Sequence, residues 1–85
     1  MNMSLSLKQY RRKRQLTQEE LSKLTGISQS YISRLEKDEF IHSISSTKII
    51  LLSDALEIDT LELAEYFFDK ERKHLNNMKK ELINK

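Results

Sequence analysis

Residues 17–36 read TQEELSKLTGISQSYISRLE, and their spacing predicts two short helices joined by a tight turn. Thr17 followed three residues later by Glu20 is the reciprocal capping pair that starts a helix. Leu21 and Leu24 then repeat at helical spacing. Gly26 falls where that helix must end in a left-handed residue, a conformation that glycine adopts at little steric cost. Thr25, Gly26 and Ile27 form the turn, and Ser28 is placed to cap the second helix. Ile32 and Leu35 point that helix inward, which leaves Gln29, Ser30, Ser33 and Arg34 on the opposite face. Ser22 is small where the two helices must cross.

An ordinary helical hairpin in a bundle asks nothing particular of its outward residues. Here they are an amide, two hydroxyls and a guanidinium on a short helix presented by a turn, the chemistry needed to read base edges in a DNA major groove. Gln29 and Arg34 are the candidates for direct readout, since glutamine pairs bidentately with adenine and arginine with guanine. Ser30 and Ser33 assist them. Tyr31 lies at the edge of that face, placed either to touch a thymine methyl or phosphate or to brace the helix.

In these residues the chain resembles the lambda repressor and Cro type of helix-turn-helix protein, the Xre-like regulators. The resemblance covers residues 7–68 and rests on joint placement: Leu21, a small residue at Ser22, Gly26, apolar Ile27, Ile32 and Leu35, and Glu36. It implies an all-α, compact five-helix DNA-binding domain. It also implies an ion pair between Arg11 and Glu36, and a phosphate contact from Gln18, just after the first motif cap. Lys8, Arg11, Lys37 and the loop amides of residues 40–43 are further candidates for the DNA backbone. The chain departs from the family pattern after Glu36. Relatives commonly place a glycine soon after that glutamate and a proline farther on, whereas this chain has Asp38 and no proline.

The composition agrees with this class. Eighty-five residues with one glycine and no proline suit a single small helical domain. A core of that size buries a modest fraction of its chain, so a second copy would add stability. No cysteine is present, which removes disulfides, thiolate metal sites and cysteine nucleophiles and fits a reducing cytoplasm. His42 and His74 are far apart in sequence, and the lone glycine forbids glycine-rich phosphate loops. Neither catalysis nor a metal or cofactor is expected. The longest fully apolar run, residues 49–52, is too short for a membrane span.

The net charge of +2 hides an uneven distribution. Residues 1–16 carry Lys8, Arg11, Arg12, Lys13 and Arg14 with no acid, residues 17–68 are acidic, and residues 69–85 are basic again. Basic ends suit a phosphate-facing surface.

Outside the motif, residues 1–6 read as a loose arm, and Leu7 and Tyr10 face the core from a first helix. Phe40, Ile41 and Ile44 are expected to tuck under the domain. A fourth helix starts near Ser46 or Thr47 and buries Ile49, Leu52 and Leu56. The serines of residues 43–53 read as loop and cap residues. Asp59 and Glu62 give another start signal, followed by the inward pair Leu63 and Phe67. Residues 69–85 form a helical tail, and Phe68 just before it recurs at sevens with Leu75 and Leu82, with Met78 between the last two, a short heptad seam. With Leu61 these residues are the expected dimer surface. The whole predicts a sequence-specific transcriptional regulator, a repressor that binds a palindromic operator as a homodimer. The competing class is a protein-binding module, an antitoxin or antirepressor type of partner or a restriction-modification controller, using the tail.

Overall fold

The computed structural model describes residues 5–37 and 44–83. They form α1 (Leu7–Lys13), α2 (Gln18–Thr25), α3 (Gln29–Glu36), α4 (Ser46–Leu56) and α5 (Thr60–Ile83), with no strand among the described residues. The all-α, five-helix expectation holds. The tail is not a separate element, because α5 runs unbroken from the domain through Ile83.

Local chemistry sets the helix starts. Ser6, Thr17, Ser28 and Ser45 each lie in extended backbone and accept the N–H three residues on, from Gln9, Glu20, Tyr31 and Lys48. Each such cap contributes about 1 kcal/mol. At Ser6 and Thr17 the bond is reciprocated, since Gln9 and Glu20 accept the cap backbone N–H at 2.8 Å. Residues 5 and 6 therefore leave the expected arm: Leu5 packs against the core and Ser6 begins α1. Residues 1–4 lie outside the described residues.

Among the described residues, three helix ends use left-handed backbone. Gly26 does so at φ +75°, as its spacing predicted. Gln15 and Glu57 do so without being glycine, at φ +57° and +55°. Such a residue costs about 1 kcal/mol, offset by the bonds it permits. The Gln15 N–H reaches Arg12 O at 2.9 Å and the Leu16 N–H reaches Arg11 O at 3.2 Å. At the end of α4 the N–H groups of Glu57 and Ile58 reach Asp54 O and Ser53 O in the same pattern. An exposed ion pair from Arg14 to Glu57 joins the two ends.

The core draws on every helix: Leu7 and Tyr10 of α1, Leu21 of α2, Ile32 and Leu35 of α3, Ile49, Leu52 and Leu56 of α4, and Leu63, Ala64 and Phe67 of α5, with Ile27 from the motif turn. α4 is the central strut, packed on α2 and α5, while α2 packs on α3 and α1 touches α3. Leu24 departs from the helical repeat and is 60% exposed, whereas Thr25 is buried in its place. The fourth residue after Leu21, not the third, shares its inward face here.

Ser53 corrects the reading of the serines. It is fully buried within α4, donating to Ile50 O and sharing a 2.8 Å bond with Thr60, so it ties α4 to the start of α5. Ile44 packs against the core, while Phe40 and Ile41 lie outside the described residues. Beyond Phe67 no described side chain of α5 is buried.

Candidate nucleic-acid interface

The motif turn is built by side chains as much as by glycine. Ser22 Oγ donates to Ile27 O at 2.6 Å, and Thr25 Oγ1 accepts the Ile27 N–H at 3.1 Å while donating to Leu21 O at 2.8 Å. Both polar backbone groups of Ile27 are satisfied, so its side chain enters the core without stranding them. This fixes the crossing of α2 and α3. Spacing gives Ser22 a steric role and Thr25 a place in the turn; the hydrogen bonds add a lock from each hydroxyl, and a hydroxyl just before a turn glycine is the signal for it.

Below the turn, α1 clamps the far end of α3. Arg11 donates from Nε to Glu36 Oε2 at 2.6 Å and from Nη2 to Glu36 Oε1 at 2.9 Å, a bidentate pair. Its Nη1 donates to Leu16 O at 2.8 Å. Gln18 Nε2 adds a bond to Glu36 Oε1 at 3.0 Å. The Arg11 and Glu36 side chains are only 11% and 4% exposed. Burial pushes the Glu36 carboxyl up, but the hydrogen bonds from Arg11 and Gln18, with the charges of Arg11 and Lys8, outweigh it and hold the group below its usual value. Arg11 is raised in turn, chiefly by its bond to Glu36. One cluster thus joins α1, the start of α2 and the end of α3.

That cluster fixes one side of an open concavity. Gln18, Gln29, Ser30, Ser33, Arg34 and Lys37 line it together, so the structure brings the four residues of the polar α3 face next to Gln18 and Lys37. Gln29, Ser30, Arg34 and Lys37 are exposed and Ser33 is half-buried. Lys8 is exposed on α1. Arg11 is placed differently, with all three guanidinium nitrogens engaged inside the protein.

Tyr31 lies outside this concavity. It borders a second one with Ser28, Thr47, Lys48 and Leu51, packs against the core, and carries Lys48 Nζ 4.6 Å from its ring centre. The ring braces α3 against α4. The Tyr10 hydroxyl donates to Glu62 Oε2, which docks α1 on α5. Burial, then the bond and the negative charge of Glu62, push the Tyr10 phenol up to about 12. Glu62, expected to help start α5, serves as that acceptor. The backbone loop of residues 40–43, a candidate phosphate contact, lies outside the described residues.

Two short helices crossed at a locked turn, the second presenting an exposed polar face beside a helix N-terminus, define a helix-turn-helix DNA-binding domain. A helix-turn-helix family model, of the Xre and lambda repressor type, matches residues 7–63, and the chain belongs to that family. It is a DNA-binding helix-turn-helix regulator. No curated protein and no solved structure matches the chain. No helix among the described residues is long and apolar enough to cross a membrane, and none of their acidic or histidine side chains gather in a group fit to hold a metal ion.

Proposed function

We propose that the chain is a sequence-specific transcriptional repressor that acts in the cytoplasm without catalysis and occupies a twofold-symmetric operator as a homodimer. The observation that carries this reading is the shared concavity of Gln18, Gln29, Ser30, Ser33, Arg34 and Lys37. Amide, hydroxyl, guanidinium and ammonium groups lie there on one surface, braced at one side by the Gln18 bond to Glu36. Gln29 and Arg34 read base edges, with Ser30 and Ser33 adding hydroxyl contacts. Gln18 and Lys37 hold the flanking phosphates, and Lys8 lies farther along the backbone. Gln18 spends one amide N–H on Glu36, which orients the remainder of the amide. Arg11 contributes by positioning, because its guanidinium is buried and committed to Glu36 and Leu16. Tyr31 contributes at the edge, by holding the angle of α3.

One recognition helix reads only a few base pairs, so twofold pairing supplies the rest of the specificity. Leu61, Phe68, Leu75, Met78 and Leu82 form the apolar surface for it, all of them between 46% and 76% exposed in the single chain. The same exposure is what a protein-binding module would offer, as an antitoxin, an antirepressor partner or a restriction-modification controller. Selection of bound duplexes from random sequence separates the readings. The expected result is two inverted half-sites with centres about 34 Å apart. An unenriched pool, or enrichment of one isolated half-site, would sink the proposal.

A further inference from the structure

α5 is polarised in charge along its length. Residues 60–71 carry Glu62, Glu65, Asp69 and Glu71 against Lys70, whereas residues 72–83 carry Arg72, Lys73, Lys79 and Lys80 against Glu81. A helix dipole favours acid early and base late, but only within the first and last turns. The change of sign at Glu71 and Arg72 lies in the middle. It coincides with the apolar row: Phe68, Glu71, Arg72, Leu75, Asn76 and Lys79 line one shallow groove along the helix. Leu75 is therefore flanked on the same face by an acid one turn before it and a base one turn after it.

We infer that this face is covered by α5 of a second copy of the chain, lying antiparallel with the twofold axis at Leu75. The inference rests on the dimer proposed above and gives that dimer its geometry. Reversed upon itself about Leu75, the row sets Phe68 against the partner's Leu82 and Leu75 against the partner's Leu75. Glu71 then faces the partner's Lys79, and the symmetry repeats that pair on the other side. A parallel alignment puts Glu71 on Glu71 and Lys79 on Lys79, with the acidic halves together and the basic halves together. Like charges held opposite one another oppose pairing.

The same geometry sets a distance. Each domain grips α5 through Leu63, Ala64 and Phe67, about ten residues before the axis. At 1.5 Å per residue the two grips lie about 30 Å apart along the pair, close to the roughly 34 Å between successive major-groove faces. The exposed half of α5 thereby acts as a spacer between the two reading heads.

The chain has no cysteine, so single cysteines introduced by Glu65→Cys and Asn76→Cys take spin labels cleanly, and the distance between labels is measured in the full-length dimer. Antiparallel pairing offsets the two labels by about 3 Å along the axis at residue 76 and about 30 Å at residue 65. Short distances at both positions mean parallel pairing, and long distances at both mean pairing elsewhere. Either result overturns the geometry and leaves the dimer standing. A chain that stays monomeric by mass at tens of micromolar, on the order of a weak dimer's dissociation constant, overturns the dimer and the geometry together. Charge reversal gives a second reading. Glu71→Lys should weaken dimerisation by about tenfold by creating two repulsive contacts, and adding Lys79→Glu should restore it. A single reversal without effect, or a double reversal without rescue, counts against the pairing.

Discussion

Replacing Arg11 with methionine keeps the buried stem and removes the charge beside Glu36, whose side chain is 4% exposed in the natural chain, leaving Gln18 as its one side-chain donor among the described residues. Removing one partner of a buried pair costs about 3 to 5 kcal/mol, and the lower figure suits a pair at the rim of the core. That is a large part of the roughly 4 to 13 kcal/mol expected for a domain of this length. In urea, with a slope of about 1 kcal/mol per molar, the unfolding midpoint followed by circular dichroism at pH 7 should fall by about 3 M.

The pH dependence identifies the cause. In the natural chain the folded carboxyl is depressed, so its stabilisation is present above the ordinary glutamate value of about 4.3 and is lost as pH falls through the lower folded value. In Arg11→Met, burial acts without the guanidinium's opposing bonds and charge, so the folded carboxyl shifts upward from its depressed value and the stabilisation it gives the natural chain above that value shrinks. The gap between the two proteins should therefore narrow on acidification. Arg11→Met with Glu36→Leu should recover most of the loss, because no charge is left stranded. A loss below about 0.5 kcal/mol at pH 7, typical of a solvated surface pair, would refute the reasoning.

Gln29→Ala and Arg34→Ala should each cost about 1 to 3 kcal/mol of binding to the selected operator in gel-shift titrations, with unchanged circular dichroism; equal losses on random DNA would remove base readout from these residues. Lys37→Ala should lower affinity on all sequences alike and flatten the slope of log affinity against log salt by about one. An unchanged slope takes Lys37 off the phosphate contacts. Gly26→Ala should destabilise by about 1 kcal/mol through backbone strain alone, since nothing lies within 4 Å of the added methyl. Gln15→Gly, at the non-glycine left-handed end of α1, should stabilise by a few tenths to 1 kcal/mol, and a lower melting temperature for that variant would contradict the strain assigned there.

The fold was legible wherever a residue's local role and its tertiary role coincide. Thr17, Gly26 and Ser28 mark the motif by themselves, and the inward spacing of Ile32, Leu35, Ile49, Leu52, Leu56, Leu63 and Phe67 needs only the helical period. Positions where tertiary context chooses between neighbours were not legible. Leu24 and Thr25 lie on either side of the inward direction of α2, and the turn decides for Thr25 because its hydroxyl satisfies Ile27 locally while Leu24 has no equivalent bond to make. Gln15 and Glu57 were invisible as helix ends, since the expectation was glycine and the gain comes from bonds made by their own N–H groups and by those of the residues that follow.

The candidate interface divides in the same way. Its outward residues were readable, because an amide, two hydroxyls and a guanidinium on one face have no use in a core. What the sequence did not reveal is that Arg11 and Gln18 converge on the same carboxylate, a meeting of three helices that no spacing within one helix encodes. It makes Arg11 a residue that holds α1, the start of α2 and the end of α3 together. For α5 the net charge concealed the informative quantity. A basic tail is an ordinary solvated or phosphate-facing segment, but an acidic half followed by a basic half on one continuous exposed helix is a pattern with direction. Such a face is complementary to itself only when reversed, which is the physical basis of the antiparallel pairing inferred above.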